Sequence, residues 1–189
     1  MANNAMTETK VITGKCRLSY VHVFEPVAAA DGAEEKYSVS IIIPKSDKET
    51  LKKIKAAIEV AKENGKTSKF GGKIPANLKT PLRDGDEDRP EDEAYADAYF
   101  INASSATAPG VIDRAKKAIT DPEELYSGCY GRVSINFYPF NASGNKGIAA
   151  GLNNIQKLAD GEPLGGRVSA EVDFDDDFDL DEDDDDEDF

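Results

Sequence analysis

The charge of this chain is concentrated at its C-terminal end, and this limits which part of the sequence can fold. Residues 171–189 hold 14 Asp or Glu and no Lys or Arg. Such a dense run of like charge cannot bury enough apolar surface to fold, so we expect a disordered tail. The formal net charge of the whole chain is −14, so residues 1–170 hold 23 acidic and 23 basic side chains. The low isoelectric point therefore describes the tail, and the body is neutral.

The sequence predicts three parts. Residues 1–9 are polar and expected to be flexible, residues 10–166 are expected to form one domain, and residues 167–189 form the acidic tail. A body of this length is enough for a single hydrophobic core. The start of the chain does not look like a signal peptide, and no apolar run approaches the roughly 18 residues of a membrane span. We expect a soluble, intracellular protein that does not contact a membrane.

The two cysteines, Cys16 and Cys129, each lie in an apolar, strand-like run. Two distant cysteines can pair, but nothing in the sequence requires it. In a reducing compartment, cysteines in such runs are usually small buried thiols. Thiols are therefore the favoured interpretation, and a disulfide is the alternative.

Alternation of apolar and polar residues predicts a mainly β domain. Residues 10–24 predict a strand bent near Gly14, and residues 26–35 a loop. A second strand at residues 37–43 has one buried face, and a third covers residues 95–101.

One helix interrupts the strands. Ser46 and Glu49 have the spacing of a capping box, and Gly65 is expected to end the helix. Its apolar face consists of Leu51, Ile54, Ile58 and Ala61. Residues 66–93 are irregular, and residues 108–120 are compatible with either a short strand or a short helix.

The clearest predicted strand covers residues 126–140, with residues 146–158 as its antiparallel partner across a turn. Cys129, Gly131, Val133, Ile135 and Phe137 share one face of the strand. Tyr130, Arg132, Ser134, Asn136, Tyr138 and Phe140 share the other face. The pattern alone leaves open which face is buried. Because strands and helices do not alternate regularly, a small barrel or open sheet with one inserted helix is favoured over a parallel, doubly wound sheet.

Several kinds of chemistry lack support in the sequence. His22 is the only histidine and lies in an apolar run, so we expect a packed core residue. No nucleophile motif, phosphate-binding loop or dinucleotide-binding motif occurs. Two cysteines and one histidine are too few for a closed zinc site built from sulfur and nitrogen alone. The sequence therefore predicts no enzyme activity and no cofactor.

One acidic segment has the spacing of a calcium loop without its other features. Asp84, Asp86 and Asp88 alternate as calcium ligands do. Arg89 occupies the position of the loop glycine, and Tyr95 occupies the position of the closing glutamate. We therefore predict no metal site here.

Aromatic and basic side chains suggest binding to single-stranded nucleic acid. Such binding needs cations for the phosphates and flat rings that stack on bases. The predicted DNA-binding residues are Lys15, Arg17, Phe70, Lys73, Arg83, Tyr130, Arg132, Tyr138, Phe140 and Lys146. The alternative is that aromatic residues at every second position are simply part of the core.

The tail has a second feature besides its charge. Aromatic and aliphatic residues interrupt it, and Phe189 is its last residue. An aromatic anchor can enter a partner's pocket while carboxylates meet a basic rim. The predicted partner-binding residues are Phe178, Asp186, Glu187, Asp188 and Phe189. The tail is also a polyanion held close to the body, so we expect it to compete with DNA for basic side chains.

Nearly the whole chain resembles a family of phage-encoded single-stranded DNA-binding proteins that was long catalogued as a domain of unknown function. The resemblance rests on GKCRLSYVHVFEP, on KYSVSIIIPKSD, on SGCYGRVSINFYPFNASGNKGIAAGLNNIQKLADGEPLGGR, and on the acidic tail ending in Phe189. It implies an oligonucleotide/oligosaccharide-binding (OB) fold, a five-stranded Greek-key barrel with an extra helix and long loops. It also implies a role in phage DNA replication, recombination and repair in the cytoplasm of a bacterial host.

Two other functions stay open at this point. An acidic interaction or chaperone-like module would bind basic proteins through the tail and would not bind DNA. A metal-dependent nuclease is the weakest alternative, because spacing alone gives no sign of its carboxylates. The proposed partners are single-stranded DNA and, through the tail, replication or recombination proteins. The sequence does not fix the oligomeric state, and a homo-oligomer stays open.

Overall fold

A computed structural model describes residues 8–28 and 30–164 of the chain. The strands are β1 (Lys10–Ile12), β2 (Cys16–Ala28), β3 (Glu35–Pro44), β4 (Arg83–Asp84), β5 (Ala98–Ser105), β6 (Gly110–Ile112), β7 (Tyr130–Ala142) and β8 (Asn145–Ala159). The helices are α1 (Lys48–Ser68) and the single turn α2 (Gly85–Asp88), and a 3₁₀ turn covers Glu93–Tyr95. The predicted partner-binding residues Phe178, Asp186, Glu187, Asp188 and Phe189 lie outside the described residues.

Five of the strands close into a barrel. β2 pairs with β3 and β3 with β5, all antiparallel, while β5 runs parallel to β8. β8 pairs antiparallel with β7, and β7 returns to β2 through the pairs Cys16–Gly131 and Arg17–Tyr130. Around the barrel the neighbours are therefore β2, β3, β5, β8 and β7. If these five strands are numbered by their order in the chain, the ring reads 1-2-3-5-4, which is the Greek-key order of an OB-fold. The predicted mainly β fold is therefore confirmed, with β1, β4 and β6 as short additions to β7, β5 and β8.

The barrel interior is filled by one face of each long strand. Val133, Ile135 and Phe137 of β7 are at most 1% exposed, and Ile41 and Ile43 of β3 are fully buried. Cys129 and Gly131 are buried with them. This settles which face of the 126–140 strand is buried. The predicted division into two faces is confirmed, although β7 itself begins at Tyr130.

Helix α1 closes one end of the barrel with its apolar face. Leu51, Ile54, Ile58 and Ala61 are buried in the same core as β7. The helix begins one residue later than its capping box predicts. Asp47 is the N-cap, and its carboxylate accepts the Thr50 N–H at 3.1 Å. The predicted pair of Ser46 and Glu49 is therefore wrong, because the neighbouring aspartate satisfies the free N–H groups.

Gly65 does not end α1, which continues to Ser68. A Cβ at Gly65 would lie 2.5 Å from the Cβ of Pro139 and 2.8 Å from the Phe70 ring. The glycine therefore allows α1 to approach β7 closely. The prediction that Gly65 stops the helix is corrected to a packing role.

The remaining boundaries follow from local hydrogen bonds. The predicted strand 10–24 breaks around Gly14, whose N–H donates to Thr50 Oγ1 at 3.0 Å. β2 runs on to Ala28, so the predicted loop is shorter at its start. The third strand begins at Ala98 instead of residue 95, because Asp92 caps the 3₁₀ turn before it. Residues 108–120 contain the short strand β6.

His22 differs from its predicted core position. It lies half-buried on the outer surface of β2, opposite Ser38 of β3. A bulge in β2 between Ser19 and His22 shifts the alternation of the strand, which explains the difference. No helix within the described residues is long and apolar enough to cross a membrane.

Both cysteines are free thiols inside the barrel, Cys16 at 2% and Cys129 at 0% exposure. Burial raises the pKa of Cys16 to about 12 and also raises the pKa of Cys129. Because the thiolate is the reactive form, we predict that the native protein resists iodoacetamide near pH 8. Mass spectrometry should find both thiols modified only after unfolding. Rapid modification of either thiol in the folded protein would contradict this burial.

Candidate nucleic-acid interface

The neutral body is divided into an acidic part and a basic part. Residues 84–97 hold eight acidic side chains and one basic side chain, so the rest of residues 1–170 holds 15 acidic and 22 basic ones. Residues 64–83 contain five basic and no acidic side chains, and residues 125–159 contain no acidic side chain at all. The second of these segments includes β7 and β8. One region of the barrel surface therefore lacks the carboxylates that would repel phosphates.

A row of small and polar residues crosses the outer surface of the barrel. Each residue of the row is the backbone partner of the next. From β1 to β2 the row consists of Lys10, Asn136, Gly151, Ser104, Ser38 and His22. All six are at least partly exposed. This polar row contains no carboxylate. At its centre the Tyr138 ring lies beside Gly151, 3.5 Å from where a Cβ would be, so an extended ligand on the row would meet this ring.

Two exposed tyrosines flank the polar row. Tyr138 on β7 is 40% exposed and lies two residues beyond Asn136. Tyr20 on β2 is 50% exposed and lies two residues before His22. Tyr20 has a positive φ of 48°, which is unusual for a bulky residue, and its hydroxyl accepts a hydrogen bond from Arg89 Nη1 at 3.1 Å. The bulge in β2 turns Tyr20 outward, whereas simple alternation with the buried Leu18 would turn it inward.

Four lysines lie either on the β7–β8 hairpin or in the segment between α1 and β4, whose two ends bond to the hairpin. We call Lys69, Lys73, Lys79 and Lys146 the hairpin lysines. The segment containing Lys79 adds to the start of β8, because Ile148 N–H donates to the Lys79 carbonyl at 2.8 Å. Asn141 Nδ2 donates to the Lys69 carbonyl at 3.1 Å, which fixes the end of α1 against the hairpin. Among the described residues, none of the four lysines forms a salt bridge, so their charges are available to an anion.

The hairpin also carries Tyr138 and Phe140 on β7. The Phe140 ring packs over Gly147, where a Cβ would lie 2.8 Å from two ring atoms. Phe140 is therefore half-buried, while Tyr138 presents more of its ring to solvent. The structure thus brings together three of the predicted residues, Tyr138, Phe140 and Lys146, with Lys73 in the adjoining loop.

A second group of predicted residues lies at the other end of β7. Lys15 Nζ and Arg17 Cζ are 4.9 and 5.7 Å from the centre of the Tyr130 ring. Arg17 also donates to the carbonyls of Gly128 and Glu162, at 3.1 and 2.6 Å. Tyr130 is eight residues from Tyr138, or about 26 Å along the strand. The two groups are therefore separate, and the internal bonds of Arg17 indicate a structural role.

The last three predicted residues have different surroundings. Arg132 is exposed and donates to Gln156 Oε1 at 2.7 Å. Arg83 is exposed next to Asp88, with 3.7 Å between Nε and Oδ2. Phe70 is only 3% exposed and packs in the core. The prediction that Phe70 stacks on bases is therefore wrong, because its ring is not accessible to a ligand. Whether the other predicted residues contact DNA stays a prediction.

An acidic flap, residues 84–97, covers part of the outer surface of β3 and β5. Tyr95 is fully buried there against Phe100, and its hydroxyl donates to Ser40 Oγ at 2.9 Å. Lys45 Nζ bonds the carboxylates of Asp84 and Asp86, at 3.0 and 2.8 Å. The hydrogen bond from Lys45 lowers the pKa of Asp86. Two of the three aspartates with calcium-loop spacing thus bind a lysine of the chain itself.

The flap covers part of the surface on which an OB-fold usually binds its ligand. That surface lies over the second and third barrel strands, between two of the loops. Here those strands are β3 and β5, and the flap covers them at Ile42 and Phe100. The polar row beside the flap is left open. A ligand lying on the row would therefore have the acidic flap near one end and the hairpin lysines near the other.

Comparison with known proteins identifies the family. The family model described as "Enterobacter phage Enc34, ssDNA-binding protein" matches residues 9–189. The chain belongs to the Enc34 single-stranded DNA-binding protein family. This confirms the resemblance found in the sequence. Protein p50 of Acyrthosiphon pisum secondary endosymbiont phage 1 is 34% identical to this Enc34-family protein over 173 residues, which is 88% of this chain and 92% of p50.

Solved structures agree with the fold of this Enc34-family protein. The single-stranded DNA-binding protein of bacteriophage Enc34, solved in complex with single-stranded DNA, has a TM-score of 0.74 and 30% sequence identity. The match covers 83% of this chain and 90% of the Enc34 chain. The gp2.5 protein of bacteriophage T7, a single-stranded DNA-binding protein, has a TM-score of 0.58 at 13% identity, and this likeness concerns the fold alone.

Several residues of the interface in this Enc34-family protein were not among those predicted from the sequence. Lys79 was not predicted because its segment has no regular pattern in the sequence. Its position next to Lys146 depends on the backbone hydrogen bonds between this segment and the start of β8. The polar row was missed because its members come from six strands. The serines of KYSVSIII did carry a signal, since their alternation with Val39 and Ile41 places Ser38 and Ser40 on the outer face.

Proposed function

We propose that this protein binds single-stranded DNA, without sequence preference, along the polar row and the β7–β8 hairpin. The observation that carries the proposal is the exposed Tyr138 ring beside Gly151 of the polar row, on the hairpin that also carries Lys146 and whose strands hold no acidic residue. Lysines at the hairpin tip would hold phosphates, and the Tyr138 ring would stack on a base. The family membership and the Enc34 structure with single-stranded DNA support the same ligand. Stacking on an aromatic ring tolerates any base, because every base has a π-face.

A titration with fluorescent oligonucleotides tests this proposal. We expect binding to oligo-dT that weakens between about 50 and about 200 mM salt, because each phosphate contact contributes a slope of roughly −0.7 in log K against log salt. A duplex of the same length should bind more weakly, since its bases are not available for stacking. Equal affinity for both forms, or none for oligo-dT at low salt, would rule the proposal out.

Replacing Tyr138 with leucine tests the stacking ring. The change should weaken oligo-dT binding about 5- to 10-fold, because a stacked base contributes roughly 1–3 kcal/mol and leucine keeps only part of the contact. Fluorescence anisotropy measures the affinity, and circular dichroism checks the fold. Val27→Ala is the matched control, because Val27 is also an exposed apolar residue, 45% accessible, far along β2. An unchanged affinity in Tyr138→Leu would place the DNA elsewhere.

We further propose that the protein acts in phage DNA replication, recombination and repair in the cytoplasm of the host cell. In this proposal the acidic tail recruits protein partners through Phe189 and the neighbouring carboxylates. The tail also occupies the hairpin lysines when DNA is absent, because it is a tethered polyanion. The charge of the tail and the unpaired hairpin lysines support this proposal.

Deleting residues 171–189 tests the competition between tail and DNA. We expect the deletion to tighten oligo-dT binding about 10-fold at low salt, because a tethered competitor is removed. The difference should shrink as salt rises, since both interactions are screened. Titrations of both forms at several salt concentrations measure this. Weaker DNA binding after the deletion would contradict the competition.

A further inference from the structure

A cavity of about 750 Å³ lies on the acidic part of the body, away from the hairpin lysines. It is enclosed by β2, the acidic flap, the loop before β7 and the end of the described chain. Its lining includes Val21, Ala94, Glu123, Tyr126 and Leu164, together with Tyr20 and His22 at the end of the polar row. Its volume falls in the range of about 300–1,000 Å³ that is typical of ligand sites.

The walls of this cavity suit the stem and the head of a long cationic side chain. Val21, Ala94 and Leu164 supply apolar surface, and Tyr20 and Tyr126 supply two aromatic rings. Both rings already hold a cation of the chain itself. Arg89 Cζ lies 5.1 Å from the centre of the Tyr20 ring, and Lys157 Nζ lies 5.5 Å from that of Tyr126. Faces of aromatic rings attract cations, but a further positive group can reach only the ring surface that Arg89 and Lys157 leave uncovered.

The charged side chains that line the cavity disfavour a phosphate, although Arg89 and Lys157 lie on its two tyrosine rings. Two carboxylates, Asp92 and Glu123, line it, and no Lys or Arg does. One oxygen of Asp92 accepts the Ala94 N–H at 3.1 Å. Within the described part of the chain, the Glu123 carboxylate has neither a hydrogen bond nor an ion pair, and the residue is exposed. Glu91 and Glu93 of the flap are exposed nearby, so four carboxylates stand against the two cations Arg89 and Lys157.

We propose that this cavity binds an arginine side chain from a basic segment of a partner protein. The guanidinium would pair with the free Glu123 carboxylate and lie against a tyrosine ring, while its stem would contact Val21 and Leu164. Arginine fits better than lysine, because its planar head both stacks and donates two parallel hydrogen bonds. The body would thus carry a protein-docking site that is distinct from the hairpin lysines and the tail and that adjoins the DNA surface at Tyr20 and His22. This inference goes beyond the proposed function and does not depend on it.

The test uses the full chain, tail included, labelled with ¹⁵N for amide NMR. The probe is the capped tripeptide acetyl-Gly-Arg-Gly-amide, with acetyl-Gly-Lys-Gly-amide and cytidine as comparisons. We expect saturable shifts of the Val21, Ala94 and Leu164 amides with the arginine peptide, and weaker binding of the lysine peptide. Glu123→Gln should lower the affinity for the arginine peptide about 5-fold, as measured from the shifts of these amides. This corresponds to a salt bridge of about 1 kcal/mol at an exposed site.

Controls separate the cavity from general attraction to acidic residues. Glu63→Gln removes the same charge from an exposed position of α1 and should leave binding at the cavity unchanged. Glu123→Gln should leave the affinity for oligo-dT unchanged, which keeps this test distinct from that of DNA binding. Shifts confined to residues 171–189 would overturn the proposal. So would cytidine binding at the same amides more tightly than the arginine peptide, because the cavity would then be a base pocket.

Discussion

Replacing Lys73, Lys79 and Lys146 together with glutamine should lower the affinity for oligo-dT about 100-fold at low salt. Lys146 is on the hairpin, Lys79 pairs with β8 through its backbone, and Lys73 belongs to the same segment as Lys79. None of the three has an ion pair in the described part of the chain, so their replacement leaves no unpaired carboxylate. The slope of log K against log salt should become shallower by about 2, because each lost contact with single-stranded DNA accounts for roughly 0.7. Anisotropy titrations at four or more salt concentrations give both quantities.

The matched control removes the same net charge from helix α1. Lys48, Lys52 and Lys53 are exposed on that helix and lie outside the hairpin. Replacing these three with glutamine should change the affinity by less than about 3-fold, through the long-range field alone. If both triple variants lose the same affinity and slope, binding depends on overall charge and the hairpin is not the phosphate site.

Replacing Tyr95 with alanine should lower the free energy of unfolding by about 3–5 kcal/mol, the usual cost of removing a buried aromatic side chain. Tyr95 is fully buried, contacts Phe100 edge to face at 5.0 Å between ring centres, and bonds Ser40. Its loss also frees the acidic flap from β3 and β5. Urea denaturation measures the stability, and cleavage by a glutamyl endopeptidase at Glu87 and Glu91 measures the release of the flap.

Tyr95→Phe isolates the hydrogen bond within the same contact. This substitution should lower the free energy of unfolding by about 1–2 kcal/mol, since the ring is kept and one buried hydrogen bond is lost. The flap should stay resistant to the protease in this variant. A cost below about 1 kcal/mol for Tyr95→Ala would show that the flap is not part of the cooperative fold.

The long strands and the main helix were predictable because their patterns are regular and extended. The alternation around Val133, Ile135 and Phe137 persists through most of β7, so both faces of this strand follow from its sequence. Helix α1 has apolar residues at helical spacing over several turns. The pairing of β5 with β8 gives no such signal, because parallel neighbours far apart in the chain share no local pattern.

The errors in the predicted site have two local causes. Phe70 follows a helix that ends by folding back, since the N–H groups of Lys69 and Phe70 both donate to the Gly65 carbonyl at 2.9 Å. This turn directs the ring inward, although the surrounding TSKFGGK looks polar. Tyr20 was not among the predicted site residues, and a bulge that shifts the alternation of β2 places it on the surface. Neither a helix end nor a bulge is fixed by periodicity, so the sequence does not reveal either exposure.

The closure of the barrel has a consequence for the order in which the chain is made. β2 meets β7 through only two residue pairs, and the bond from Cys16 Sγ to the Gly131 carbonyl spans 115 positions. During translation, β2 therefore leaves the ribosome long before β7 has been synthesised. Until then one edge of β2 has free backbone groups that can pair with another chain. The β7–β8 hairpin, whose strands are neighbours in sequence, can form quickly once synthesised, so docking of β2 onto β7 is the step that protects the nascent protein from aggregation.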